Sequence, residues 1–225
     1  MSVLEESTRT AEREWLEAWQ GGPTRLRWTE APLQVGDIAP NFTIPDQGGT
    51  PVELSSFWAQ GPALILFWRH FGCSCGMDRA RRLSEESGAY ESAGAKVVIV
   101  GQGEPERAAA YREKYSIRYP ILCDPARKVY EAFGLLEGGP AQILFDAPDS
   151  LLRCDLEAGK ELAAKRREAG RPMVDSPWQL PGEFVVDRDG RLRLTYRYQY
   201  CEDYPNPLVL VAALREARGD LARLG

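Results

Sequence analysis

Two rhythms of apolar and polar positions divide this chain. A continuous apolar run over 63–68 (Ala63-Leu64-Ile65-Leu66-Phe67-Trp68) reads as a strand buried on both faces, and 96–100 and 119–122 read as further short strands. Between and after them, 77 to about 90, 104–115 and 126–133 carry apolar residues at helical spacing, so strands alternate with helices as in a sheet built from crossover units. Farther on, 183–187 and 192–196 flank Arg188-Asp189-Gly190, a strong hairpin signal. A closing helix is expected over 207–224, with Leu208, Val211, Leu214, Ala217 and Leu221 as the stripe that docks on the sheet. Upstream, 5–19 has helical spacing and stops at Gly21-Gly22-Pro23; that helix is free to pack on the body or on another subunit. The rhythm breaks between 138 and 177, where Pro140 and Pro148 bracket an apolar piece and 151–169 is charged and helical. The expected organisation is an extension and linker over 1–34, then one α/β domain over 35–225 with an insertion at about 138–177.

Composition narrows the function classes. The 225 residues carry a net charge of −5, and no basic block lacks interspersed carboxylates, so no phosphate-binding footprint for nucleic acid is present. No window approaches the roughly 18 apolar residues of a membrane span. The first residues lack a positive head followed by an apolar core, and a cytoplasmic location is expected. Cysteines at 73, 75, 123, 154 and 201 form an odd, scattered set, which argues for thiols in a reducing compartment over a disulfide framework. Asn41-Phe42-Thr43 matches a glycosylation acceptor and is incidental in that setting.

The chemistry concentrates at Cys73-Ser74-Cys75, where the apolar strand runs through Arg69-His70-Phe71-Gly72 into a helix. Unsatisfied first-turn N–H groups and the positive end of the helix dipole favour thiolate, drawing a cysteine pKa from about 8.5 toward ~3.5–7.5. Arg69 offers a permanent positive charge for a thiolate or a peroxide oxygen. His70, as imidazolium, offers thiolate stabilisation or a proton for a leaving group. Strand alternation is expected to send these two side chains to opposite faces. Residues two apart on a helix point nearly opposite ways, so a Cys73–Cys75 disulfide is expected to require unwinding of the first turn; Gly76 eases it by on the order of 1 kcal/mol. Cys201, beyond the last strand, is a second candidate to resolve an oxidised Cys73. Cys123 reads as core filler and Cys154 as a thiol of the insertion. Gly101-Gln102-Gly103 reads as a strand-to-helix turn, since a nucleotide loop would need a third glycine. His70, Cys73 and Cys75 lack an evident fourth ligand, so no metal is expected.

The order of these segments resembles the thioredoxin-like superfamily, and more closely its peroxiredoxin branch, the alkyl hydroperoxide reductase and thiol-specific antioxidant family. Val35-Gly36-Asp37-Ile38-Ala39-Pro40-Asn41-Phe42 resembles that branch's opening motif, and Pro181-Gly182-Glu183-Phe184-Val185-Val186-Asp187 its proline-plus-hairpin motif. Phe67-Trp68-Arg69-His70-Phe71-Gly72-Cys73 is most similar to the peroxiredoxin-like 2 group. The chain departs from the standard pattern at Leu66 and His70, where Pro and Thr or Ser precede the cysteine, and at Gly76, where thioredoxin-like proteins place a second cysteine. The resemblance implies a thioredoxin fold, a central mixed sheet flanked by helices. It implies a peroxidase that reduces hydrogen peroxide or organic hydroperoxides through Cys73 without a cofactor, restored by a thioredoxin-like or low-molecular-weight thiol. Pro181 then matches the superfamily's proline beside the cysteine, usually cis, with Phe71, Ser74, Trp178 and Gln179 lining the pocket. A thiol–disulfide oxidoreductase acting on protein disulfides, or a metal- or partner-binding protein on the same fold, are the alternatives, and a homodimer is left open.

Overall fold

The structure is a computed structural model that describes residues 1–143 and 153–219. Its centre is a five-stranded mixed sheet of β3 (Ala63–Phe67), β4 (Lys96–Gly101), β5 (Ile121–Cys123), β6 (Gly182–Val186) and β7 (Leu192–Arg197), preceded by a small hairpin of β1 (Thr43–Pro45) and β2 (Pro51–Glu53). The spatial order is β5-β4-β3-β6-β7. β3 pairs in parallel with β4 and antiparallel with β6, so the expected 63–68 strand lies in the middle of the sheet. Side chains alternate across it. Leu64 and Leu66 face one core with Val97 and Ile99, while Ala63, Ile65 and Phe67 face a second with Val98, Val100 and Phe184.

Helices cover both faces. α2 (Ser74–Ser92), α3 (Pro105–Lys114) and the closing helix α7 (Pro207–Arg218) bury Leu83, Tyr90, Tyr111, Leu210 and Leu214 against the first face. α4 (Lys128–Ala132) packs Val129 and Tyr130 against the second. It is shorter than the expected 126–133, because Arg127 adopts a left-handed backbone (φ 56°) and Asp124 caps the turn after it through the N–H groups of Lys128 and Val129. The third strand sits at Ile121–Cys123, displaced from the expected 119–122. The closing helix stops at Arg218 on a left-handed Gly219 (φ 83°). The expected 220–224, with Leu221, lies outside the described residues. Leu208 is exposed and Leu210 takes the buried position assigned to it.

A third apolar cluster sits at one end of the sheet. α1 (Val3–Gly21), capped by a Ser2/Glu5 box, sends Trp15 and Trp19 inward to the body of this same chain. They meet α6 (Leu156–Glu168) through Ala158 and Leu162, and Trp178 and Leu180 from the loop before β6. Trp15, Trp19 and Trp178 stack in series with centroids 5.3 and 5.2 Å apart. Gly159 permits this approach, since a Cβ there would lie 2.6 Å from the Trp19 ring. α6 covers only 156–168 of the expected 151–169 helix, because Asp155 caps it by accepting from the Ala158 N–H; 151–152 lie outside the described residues. A single turn, α5 (Pro140–Ile143), precedes the undescribed stretch. Among the described residues no helix is long and apolar enough to cross a membrane.

Candidate active site

The site forms where β3 gives way to α2. β3 ends at Phe67, so strand alternation no longer fixes Arg69 and His70, and the expectation that they face opposite ways fails at this point. Both turn inward and are buried. The chain is held there by Tyr130, whose hydroxyl donates to the carbonyls of Trp68 (2.6 Å) and Val100 (2.9 Å), and by Gln102, whose side-chain amide donates to the Arg69 carbonyl at 2.7 Å.

Arg69 spends its guanidinium on three partners. Nε donates to the Gln179 carbonyl at 3.2 Å, Nη2 donates to the Pro177 carbonyl, and Nη1 points at Cys73 Sγ from 3.2 Å. Cys73 is the N-cap of α2, with an extended backbone (φ −75°, ψ 138°), so its sulfur meets both the helix N-terminus and a buried cation. This capping role also corrects the geometry expected for the cysteine pair. Cys73 lies outside the helix, its Cα is 5.3 Å from that of Cys75, and the two sulfurs are bonded with the first turn intact.

Cys201 joins them. Cys73, Cys75 and Cys201 form a buried cluster of their own, although 201 follows the last strand by four residues. The loop carrying Cys201 is anchored on both sides. The Cys201 N–H donates to the Gln142 carbonyl at 3.0 Å, and the Tyr204 hydroxyl donates to the Cys75 carbonyl at 2.9 Å. Burial pushes the Arg69 pKa down, while the facing Cys201 sulfur pulls it back up.

His70 is held in its neutral form. Burial comes first, and the positive charges of Arg69, Arg166 and Arg107 add to it, so its pKa falls well below the ordinary histidine value. The imidazolium role expected from sequence is therefore overturned. Nδ1 accepts the Gly72 N–H at 3.2 Å, which places the ring proton on Nε2.

Cys73 opens onto a cavity of about 280 Å³. Arg69, His70, Ser74 and Cys201 line it, with Trp15, Trp19, Leu162 and Met173 as an apolar wall and Lys165, Arg166 and Arg171 as a basic one. Ser74 lines this cavity, whereas Phe71 and Trp178 do not. Phe71 turns to the opposite side, its ring 4.8 Å from that of Tyr111, and a Cβ at Gly101 or Gly103 would lie 2.7 or 2.2 Å from it. Those two glycines exist to admit that ring, which explains the Gly101-Gln102-Gly103 turn. Trp178 lies behind the wall and donates from Nε1 to the Ala18 carbonyl at 2.7 Å. Gln179 contributes its backbone carbonyl to Arg69. Pro181 lines a narrower crevice with Arg69, Cys75, Tyr198, Cys201 and Tyr204, and among the described residues no peptide bond is cis, contrary to the implied geometry.

Sequence reasoning missed Trp15 and Trp19 as site residues, although their i, i+4 spacing marks one buried helix face. It also missed Arg79, which binds Glu183 through Nε (2.7 Å) and Nη2 (3.2 Å) beneath the start of α2; charge patterning along α2 offered no signal for a partner 104 positions away.

The AhpC/TSA family model matches residues 35–195. The chain belongs to the AhpC/TSA family. Peroxiredoxin Bcp of Escherichia coli (strain K12) is 31% identical over 104 residues, 46% of this chain and 66% of that protein. Peroxiredoxin Q, chloroplastic, of Sedum lineare is 29% identical over 116 residues, 50% of this chain and 60% of that protein. The aligned stretch thus falls short of two-thirds of either relative's length. The crystal structure of peroxidoxin BcpB from Mycobacterium tuberculosis superposes with a TM-score of 0.58 over 82% of this chain and 97% of that one, at 19% identity. For this AhpC/TSA chain the likeness establishes the thioredoxin fold expected from sequence: a central mixed sheet flanked by helices.

Proposed function

We propose that this chain is a thiol-dependent peroxidase in which Cys73 reduces hydrogen peroxide or an organic hydroperoxide. The observation that carries the reading is the Arg69 Nη1 to Cys73 Sγ contact of 3.2 Å at the N-terminus of α2, inside a small cavity. The Cys73 thiolate attacks one peroxide oxygen and the O–O bond breaks. Cys73 becomes a sulfenic acid and the other oxygen leaves as an alcohol or water after taking a proton. Arg69 lowers the energy of the thiolate and of negative charge developing on the peroxide. His70, neutral with its proton on Nε2, presents a polar N–H at the cavity wall. The Cys75 thiol then condenses with the sulfenic acid, releasing water and forming the Cys73–Cys75 bond. A thioredoxin-like or low-molecular-weight dithiol returns both to thiols by exchange in a reducing compartment.

The competing disulfide-exchange reading needs free backbone groups ahead of Pro181 to pair with an extended substrate. Leu180, the residue in question, has both groups engaged by its own chain. Its N–H donates to the Leu136 carbonyl at 3.1 Å, and its carbonyl accepts from the Gln179 side chain at 3.1 Å. That favours a small substrate over a docked peptide. In this reading the 1–34 extension and the 138–177 insertion are additions to a 35–225 domain, and they meet over Cys73, α1 supplying Trp15 and Trp19 and α6 supplying Leu162.

The test is a stoichiometric pulse of hydrogen peroxide on the fully reduced protein, followed by intact-mass spectrometry and cysteine peptide mapping. Fast oxidation centred on Cys73, lost in Cys73→Ser, is expected. Oxidation of Cys73 no faster than that of a small-molecule thiol would sink the peroxidase.

A further inference from the structure

The Cys73–Cys75 bond leaves the third sulfur of the cluster in an unusual position. Cys201 borders both openings to the site: the cavity it shares with Cys73 and the crevice it shares with Cys75. Its Sγ lies 3.6 Å from the Ile143 carbonyl, which accepts the thiol proton in the protonated form. On its other side stands the Arg69 guanidinium, which spends its hydrogen bonds on two backbone carbonyls and Cys73 and on which the Glu202 carboxylate also acts through space. A buried cation so placed favours an anion, and with Cys73 and Cys75 joined, the sulfur of the cluster able to supply one is Cys201.

We propose that Cys201 is the nucleophile of a disulfide relay, attacking Cys75 and releasing Cys73. The Cys201 proton leaves to solvent through the shared cavity. The thiolate forms a bond to Cys75 Sγ, the Cys73–Cys75 bond breaks, and Cys73 departs as thiolate. Two electrons move within three sulfurs, so no external oxidant or reductant enters the step. The direction follows from the leaving group. Exchange is faster when the departing thiol is the more acidic, and of the two bonded sulfurs it is Cys73 that has Arg69 Nη1 at 3.2 Å and the helix N-terminus behind it. The relay therefore restores the reactive thiolate while storing the oxidation as a Cys75–Cys201 bond. The anchoring of Tyr204 on the Cys75 carbonyl holds the Cys201 loop against the helix start during the exchange.

This rests on the peroxidase reading for its role in turnover, but its test does not. The full-length reduced protein is oxidised with diamide, quenched in acid, alkylated and mapped. The relay predicts a Cys75–Cys201 peptide pair with Cys73 alkylated; recovery of the Cys73–Cys75 pair alone, with Cys201 always alkylated, overturns it. Peroxide titration without reductant then adds a count. Wild type is expected to consume two equivalents, the second leaving an oxygen on Cys73, whereas Cys201→Ser is expected to stop at one with Cys73–Cys75 bonded. Equal consumption by both overturns the relay and leaves the peroxidase standing. No consumption by either, with the Cys75–Cys201 pair present after diamide, overturns the peroxidase and leaves the relay.

Discussion

Two arginines are buried within a few ångströms of side-chain reach of the same helix start, and the molecule treats them in opposite ways. Arg79, on α2 itself, meets carboxylates: Glu183 through two nitrogens and Glu86 at 2.7 Å, with the Tyr198 hydroxyl donating to Glu183 at 2.6 Å. Burial works against its charge, yet Glu183, Tyr198 and Glu86 outweigh it and hold the Arg79 pKa well above the ordinary value. Arg69, equally buried, meets backbone carbonyls and sulfur, and its pKa falls through burial. A charge matched by carboxylates is spent on holding strand, helix and loop together. A charge that meets carbonyls and sulfur, with the Glu202 carboxylate acting on it through space, remains available to an anion formed beside it, and in the proposed mechanism that anion is the Cys73 thiolate.

The comparison breaks most visibly at Arg79. Arg79→Met leaves Glu183 buried without its cation, and loss of one partner from a buried pair costs about 3–5 kcal/mol. Denaturant unfolding should register that loss, with peroxide reactivity of the surviving folded protein unchanged. An Arg79→Met protein as stable as wild type would show that the pair is not a structural stitch. Arg69→Met should invert the pattern. It strands two carbonyl acceptors and no carboxylate, a stability cost on the order of 1–3 kcal/mol. Its main effect falls on chemistry, because removing an adjacent cation raises a thiolate's pKa by ~1–3 units. Ultraviolet titration of the Cys73 thiolate in the reduced protein, with Cys75 and Cys201 replaced by serine, reads this directly; an unmoved titration curve refutes the role given to Arg69.

His70 sharpens the same contrast at smaller amplitude, because the cation that favours the thiolate disfavours an imidazolium. It is the only histidine, so its titration is separable. Its pKa in the folded protein lies well below the ~6.5 of the unfolded chain, so below that value the unfolded state binds the extra proton. Stability is therefore full above about pH 6.5 and declines as pH falls, by up to ~1.4 kcal/mol per pH unit. Unfolding midpoints between about pH 7 and pH 5.5 should show the decline in wild type and a flatter line in His70→Gln. Matching slopes would mean that the ring charges in the native state after all.

Much of the scaffold was legible because it obeys local rules. The 63–68 run, the Arg188-Asp189-Gly190 hairpin and the helical spacing of 5–19 are decided by burial pattern and turn chemistry within a few residues. The thiol site at Cys73 was legible too, since a cysteine at a strand-to-helix junction has a physical consequence wherever the chain goes next. What stayed hidden depends on partners far apart in sequence. The inward turn of Arg69 requires Gln102, Pro177 and Gln179, and the position of Cys201 requires Gln142 and Tyr204. The capping position of Cys73 was obscured for another reason. Cysteine is not a preferred helix cap, so nothing in the local sequence marked Cys73 as lying outside the first turn. Phe71 was misplaced because the signal that sends it away from the cavity, the glycines at 101 and 103, lies at the end of the neighbouring strand and in the loop after it.

Cys123 supplies the control for the arginine argument, being a buried thiol on which the charge of Arg107 acts more weakly than burial does. It sits at the end of β5, and burial, with Glu104 and Asp46 adding negative charge, pushes its pKa up to about 12. At pH 8 that leaves about one molecule in 10⁴ as thiolate, whereas Cys73 has the Arg69 guanidinium and the α2 N-terminus beside it to favour the anion. Pulse alkylation of the reduced native protein with iodoacetamide should therefore label Cys73 early and leave Cys123 unlabelled until the chain is unfolded. Replacing Cys123 with alanine should leave that Cys73 rate where it was. If Cys123 in the native protein is labelled as fast as Cys73, burial is not suppressing thiolate formation here, and the contrast between a sulfur in contact with a buried cation and one governed mainly by burial loses its physical basis.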